Sequence, residues 1–323
     1  MKILFLFLDG VGLGEDDASK NPFSSAHTPI INHLLAGKKL LAKNSPYFSP
    51  LCTLLSLDAQ MGVAGLPQSA TGQATLLTGV NFAKRLGYHF GPKPNPEIKM
   101  YFQPRNASNT QISAGLDDIQ SNTSIFSQLF HAGKTASFLN AYPSVYFQKI
   151  NSGKRNHSVI PLAATSSGIN LFNQNDLIMD RALSADFTGQ GWHDHLNISD
   201  TPILDPVQAG IRLAALSKNY HFSMFEFWES DFIGHKQNFS NAIRLIEKID
   251  LVLKGLLSNW DMEDGGILIT SDHGNLEDLT TRKHTKNCVP AIFIGAPAYQ
   301  QKFSQRVRSI VDIAPFIIEL LSD

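Results

Sequence analysis

Three short, largely apolar runs, at residues 3–8, 222–228 and 267–270, each stop abruptly at a segment rich in Asp, His and Gly. Runs of this length bounded by polar turns are the pattern of buried strands that feed loops. A fourth run, 291–294, follows Pro290 and ends at Gly295, and a fifth, 136–139, lies behind a helical stretch at 124–131 that stops at Gly133. Helical periodicity is clearest over 241–260, where Ile243, Ile246, Ile249, Leu253 and Leu256 recur at three and four residues. A further helix is expected over about 310–321. Buried strands alternating with helices predict an α/β fold: a mostly parallel central sheet with helices on both faces.

The 323 residues, 43% of them hydrophobic, suffice for one large domain. Between 85 and 122, and again between 146 and 201, the chain turns rich in Pro, Asn, Ser and Gly, with segments such as GPKPNP and SSGINLFNQND. These segments read as insertions rather than core, forming a small lid on a single catalytic domain.

Charge excludes several partners. Lys and Arg number 27 against 28 Asp and Glu, and charged residues make up 17% of the chain where about 25% is usual. Neither a nucleic-acid partner nor a polybasic membrane contact is expected from that balance. Asp9 interrupts the amino-terminal apolar run before a signal-peptide core forms, and nothing approaches the roughly 18–20 apolar residues that span a bilayer. Cys52 and Cys288 lie far apart without CxxC spacing, which suggests neither a disulfide framework nor a thiolate zinc site. A cytoplasmic protein is expected; oligomeric state is open.

In open α/β sheets, ligands bind beyond the carboxyl ends of the strands, and the metal-capable side chains concentrate there. Asp9 ends the first strand, Asp231 and His235 follow the second in WESDFIGHK, Asp272 and His273 follow the third in TSDHGN, and His284 lies in KHTKN. Imidazole and carboxylate without thiolate suit manganese or zinc, with magnesium less favoured. Six ligands are too many for one tetrahedral site but divide into two sets of three, and a pair of ions suits in-line displacement at phosphorus.

The segment LPQSATGQATLLTG offers a protein nucleophile, Ser69 or, as the fallback, Thr71, at the start of a helix-like stretch. Backbone N–H groups at such a start favour phosphate. A serine hydroxyl is almost wholly protonated at neutral pH, so metal coordination rather than a neighbouring base would activate it.

Taken in order, Asp9 in LDGVG, Ser69 in QSATGQ, Asp231 and His235 in ESDFIGH, Asp272 and His273 in TSDHGN and His284 in KHT resemble the alkaline phosphatase superfamily. The set is most similar to the metalloenzyme branch, which includes cofactor-independent phosphoglycerate mutase and phosphopentomutase. The resemblance covers roughly 1–80 and 205–323. It implies that Asp231, His235 and His284 hold one divalent metal, that Asp9, Asp272 and His273 hold the other, and that Ser69 bridges them as nucleophile. It further implies a phosphoseryl intermediate, discharged to water or to a second substrate hydroxyl.

Two departures favour hydrolysis of a small phosphate ester over mutase chemistry: Gln73 stands where the mutases typically carry His, and the inserted segments are short for a cap that must retain an intermediate. A phosphomutase acting on a phosphosugar or phosphoglycerate is the enzymatic alternative. A metal-binding protein with a structural or sensing role is the other. Among other features, the Gly10–Gly12–Gly14 run lacks dinucleotide-loop spacing, and His193 and His195 read as a solvated loop. Arg85, Lys283 and Lys286 read as surface charges, while Asn275 and Glu277 are placed to orient ligands.

Overall fold

The computed structural model describes residues 1–103 and 123–322. Its strands are β1 (Lys2–Leu8), β2 (Tyr47–Phe48), β3 (Cys52–Leu57), β4 (Ala136–Phe138), β5 (Ala141–Tyr142), β6 (Phe172–Asn173), β7 (Phe222–Phe227), β8 (Gly265–Thr270) and β9 (Val289–Ile294). Seven form one sheet in the order β2-β3-β9-β8-β1-β7-β4, while β5 and β6 pair separately. The neighbours β4, β7, β1 and β8 are all parallel. β9 runs against both β8 and β3, which returns β3 to the direction of the first four, and β2 is a short antiparallel edge. The sheet is thus mostly parallel, with the reversal confined to β9 and β2.

Why β1 is central follows from its side chains. Ile3, Phe5 and Phe7 point into one core layer and Leu4, Leu6 and Leu8 into the other. A strand buried on both faces reads as a continuous apolar run because the two-residue alternation meets helices on either side. On one face lie the helices Ser69–Thr78, Val159–Ser166 and Ile313–Ser322; on the other, Pro206–Ser217 and Phe239–Ser258.

Capping sets the helix boundaries. The helix expected over 241–260 spans Phe239–Ser258, because the Asn238 side chain accepts the Asn241 N–H and starts it early. Likewise, the strand expected over 222–228 ends at Phe227, since Trp228 caps the helix Glu229–Lys236. The stretch at 310–321 is a 3₁₀ turn, Ile310–Asp312, followed by the helix Ile313–Ser322.

The mostly parallel sheet is as expected, with the short antiparallel edge of β2 and β3 an addition to it. One expectation needs correction. Parts of both inserted segments are core: Ile98, Tyr101 and Phe102 from the first, with Val159, Ile160, Ala163 and Ala164 from the second, pack into the same layer as Phe5 and Phe7. The helices that carry them, Pro96–Phe102 and Val159–Ser166, have seven and eight residues, too few turns for periodicity to show against a Pro- and Ser-rich background. The remainder of the first segment, 104–122, lies outside the described residues. No helix among the described residues is long and apolar enough to cross a membrane.

Candidate metal centre

β1, β7 and β8 end in register, with Leu8 opposite Phe227 and Phe7 opposite Thr270. The chain segments that follow them therefore open onto one edge of the sheet. Asp9 leaves β1 directly. Asp231 and His235, expected on a polar loop, lie on the helix Glu229–Lys236, where the four-residue spacing puts both on one face. Gly10, at φ +67°, leaves room for that helix: a Cβ there would lie 2.6 Å from Asp231 Oδ1.

Five of the six expected ligands meet in two overlapping triads. The ligand atoms of Asp9, Asp272 and His273, and those of Asp231, His273 and His284, each lie within 4.8 Å of one another. His273 Nε2 is 3.4 Å from Asp9 Oδ1 and 3.6 Å from Asp272 Oδ2, and His284 Nε2 is 3.6 Å from Asp231 Oδ1. The rings of His273 and His284 stack at 3.7 Å. His235 stands at the rim, its Nε2 3.2 Å from Asp231 Oδ2. In the tightest triad with Asp231 and His284 the third member is thus His273, where the resemblance implies His235.

Backbone carbonyls aim the outer histidines. His284 Nδ1 lies 2.7 Å from the Pro67 carbonyl and His235 Nδ1 2.7 Å from that of Arg282. Each Nδ1 must carry the proton to bond a carbonyl. The neutral His284 then turns its Nε2 lone pair toward the centre, whereas His235, raised by its bond to Asp231, also donates from Nε2 to that carboxylate. Asn275 Nδ2 donates to Asp231 Oδ1 at 2.7 Å. Glu277, buried, accepts from the N–H groups of Gly12 and Asn275, from Thr285 Oγ1 and from Asn287 Nδ2.

Burial and crowded carboxylates set the electrostatics of the site. Burial, with the charges of Asp272, Asp231 and Glu226, holds the Asp9 carboxyl well above the ordinary carboxylate range. Asp272 is pushed up to about 7 by burial and the Asp231 charge. Burial drives His284 down to about 4 and lowers His273 as well. Burial also acts to raise Asp231, but the hydrogen bond with His235, the His273 charge and the Asn275 amide outweigh it and hold that carboxyl low. Asp9 Oδ1 and both Asp272 oxygens are buried without a hydrogen-bond partner. Orphaned carboxylate oxygens beside imidazole lone pairs are the donor set of a divalent cation, so the residues present fit the metals that the sequence implies.

Ser69 opens the helix Ser69–Thr78 and brings its Oγ to 3.1 Å from His273 Nε2. A Cβ at Gly72 would lie 2.8 Å from that of Asp272, so only glycine lets the helix come this close. Thr71 is committed elsewhere: its hydroxyl donates to the Gln68 carbonyl at 3.1 Å and accepts the Phe90 N–H at 3.2 Å. Its own N–H goes to Phe90 O, so that donor of the helix start is not free for phosphate. Gln73, one turn on from Ser69, is buried with its Oε1 unpaired.

Arg85 is taken by Glu97 at 2.8 Å. His193 bonds the Thr201 carbonyl on the short helix Gln190–Leu196, away from either triad. What sequence reasoning missed is Glu226 on β7, buried and pushed up to about 7 by burial and the Asp272 charge. Embedded in an apolar strand, it carried no motif to mark it.

The sequence profile of the metalloenzyme superfamily matches residues 207–322, the part of the chain that carries Asp231, His235, Asp272, His273 and His284. Over that segment the chain is similar to the metalloenzyme superfamily. Among curated proteins, a 2,3-bisphosphoglycerate-independent phosphoglycerate mutase of Legionella pneumophila is 30% identical over 112 residues, 32% of this chain and 21% of the mutase. One of Shewanella sp. is 29% identical over 133 residues, 39% of this chain and 24% of its own length. The match thus spans about a fifth to a quarter of those relatives. In solved structures the likeness of fold extends over the whole chain. Leishmania mexicana phosphoglycerate mutase aligns at TM-score 0.55 and 10% identity, covering 99% of this chain and 95% of that one. The alkaline phosphatase of the Antarctic bacterium TAB5 aligns at 0.53 and 11%, covering 99% and 97%.

Proposed function

We propose that this protein is a metal-dependent phosphoryl-transfer enzyme that hydrolyses a small phosphate ester through a covalent phosphoserine at Ser69. One observation carries the reading: Ser69 Oγ sits 3.1 Å from Nε2 of His273, the residue common to both ligand triads. A serine serving only as a helix cap has no need of that position.

Asp9, Asp272 and His273 would hold one divalent ion and Asp231, His235 and His284 the other, Mn²⁺ or Zn²⁺ suiting the imidazoles better than Mg²⁺; bound there, they would supply Lewis-acid polarisation and neutralise phosphoryl charge. Ser69 Oγ forms a bond to phosphorus as the ester P–O bond breaks, and the departing oxygen leaves as an alcohol with the serine's proton. Water then takes the phosphoryl group, releasing inorganic phosphate and restoring the serine O–H. Burial of Asp272 and His273 keeps bulk water away from these groups and would strengthen their hold on a divalent cation. Asn275 and the carbonyls of Pro67 and Arg282 keep Asp231, His284 and His235 oriented.

The mutase reading is favoured by the curated relatives, and the segment similar to the metalloenzyme superfamily carries five of the six ligands. Product analysis separates the two. Metal-stripped protein reloaded with manganese, zinc or magnesium is assayed on aryl phosphates, sugar phosphates and phosphoglycerates. Hydrolysis predicts metal-dependent inorganic phosphate that vanishes in Ser69→Ala, whereas an isomerised phosphate ester without phosphate release would establish the mutase. Two tightly bound metals with neither product would favour the metal-binding alternative.

A further inference from the structure

Two cations, one of them on a loop that abuts the Ser69 helix, have no carboxylate within ion-pair distance among the described residues. The loop Phe90–Gly91 abuts the serine's helix: Phe90 O accepts the Thr71 N–H at 3.0 Å, and a Cβ at Gly91 would lie 3.1 Å from Ser69 N. Two residues on, Lys93 Nζ reaches the Asn156 carbonyl at 3.5 Å and so joins the first inserted segment to the second. The neighbours of Asn156 converge on one ring. The Arg155 guanidinium lies 4.9 Å above Tyr146, and His157 Nδ1 is 2.7 Å from the Tyr146 hydroxyl.

Glu226 links this cluster to the metal centre. It stands opposite Phe7, two residues before Asp9, and its backbone N–H and C=O are both clamped by the Asn140 amide, at 2.8 and 2.7 Å. Its carboxyl responds to Asp272 on one side and Lys93 on the other. Partial burial and the Arg155 charge press Lys93 below its ordinary range, and burial with Lys93 and Arg155 lowers His157. Among the described residues, neither Lys93 nor Arg155 has a carboxylate within ion-pair distance, although Arg85, Arg181 and Arg212 each have one.

We propose that Lys93 and Arg155 form a leaving-group subsite that holds a second anionic group of the substrate, a carboxylate or a second phosphate, while the ester phosphate lies at Ser69. The inference rests on the phosphoryl-transfer reading above and names the substrate class for it: a doubly anionic phosphate ester. Two uncompensated cations held near one another gain charge-assisted hydrogen bonds when an anion arrives, and a neutral leaving group offers nothing equivalent. Tyr146 and His157 position the arginine, the ring through stacking and the imidazole through the tyrosine hydroxyl.

The test is calorimetric binding of three phosphonates to the metal-loaded full chain: propylphosphonate, 3-phosphonopropanoate and propane-1,3-bisphosphonate. At least one of the two that carry a second anion should bind about tenfold or more tighter than propylphosphonate, as a charge-assisted contact implies. Whichever is favoured identifies the anion. Lys93→Met and Arg155→Met, both at exposed positions, should each bring that affinity ratio toward one. Equal affinity for all three, or a preference that survives both substitutions, overturns the subsite while leaving the metal centre standing. Failure of propylphosphonate to bind, or binding indifferent to chelation, brings down the phosphoryl-transfer reading and this inference with it.

Discussion

The Glu277 carboxylate accepts the Gly12 N–H at 2.9 Å, joining two segments that are 265 residues apart in the chain. The same carboxylate bonds the Asn275 N–H at 2.8 Å, Asn287 Nδ2 at 3.0 Å and the Thr285 hydroxyl. It thereby ties the loop after Asp9, the loop after His273 and the residue beside His284 to one point. All four partners are donors, so only an ionised, acceptor-only side chain satisfies them.

Glu277→Gln should for that reason be costly although it preserves shape. The amide turns one acceptor into a donor that faces donors, and a buried mispaired group costs about 1–3 kcal/mol. Because three ligand-bearing segments loosen together, metal affinity should fall roughly 10–100-fold, as outer-shell changes do elsewhere. Chemical denaturation of the metal-free protein and a metal titration read the two effects separately.

Ser69→Ala deletes the nucleophile and little packing. Turnover of any accepted phosphate ester should fall by about 10³-fold or more, by analogy with other covalent catalysts. Loss of one buried hydrogen bond changes stability by only about 1 kcal/mol. Unchanged kcat with an unchanged unfolding curve would remove Ser69 from the mechanism.

His284→Ala and Asp272→Asn should each lower bound metal from two ions per chain toward one, measured by elemental analysis after dialysis. His284 belongs to the Asp231 triad and Asp272 to the Asp9 triad. If either variant lost both ions, the two sites would be binding as one unit.

Acid should weaken metal binding over a defined window. Asp272 is held up at about 7, so at pH 6 it is mostly protonated and an arriving cation must displace that proton. His284, down at about 4, is already neutral there and contributes nothing above pH 5. Affinity should therefore rise between about pH 6 and 8, with protons released on binding, measurable by calorimetry in buffers of different ionisation enthalpy. The linkage has the opposite sign for the metal-free fold. A carboxyl whose folded pKa lies above its unfolded value gives a contribution present at low pH and lost as pH rises through about 7. The Asp272 contribution should thus make the chelated protein less stable at pH 8 than at pH 6, an effect that Asp272→Asn abolishes and added metal reverses. His235, raised by its bond to Asp231, acts in the same direction.

The expected sheet strands were legible because burial on both faces leaves an apolar run that only a turn residue ends, and β1, β7 and β8 all carry that mark. β3 carries polar Thr53 and Ser56 inside its run and pairs antiparallel, so nothing local announced it. The helix Val159–Ser166 went unseen within a polar insertion because eight residues give barely two turns of periodicity. The six ligand-type residues were visible through their placement after apolar runs, whereas Glu226 was hidden inside one.

The sequence by itself determined the architecture and the inventory: which strands are central, which Asp and His residues follow their ends, and which serine begins the helix between them. Those features are written in local order, in apolar periods and in the residues that end them. Only the tertiary structure decided how the inventory is shared. It put His273 in both triads, set Glu277 under three loops, aimed two imidazoles with the carbonyls of Pro67 and Arg282, and brought Lys93 beside Arg155. Each of these depends on distances between segments tens to hundreds of residues apart, and no local pattern encodes such a distance, because packing of the whole core sets it.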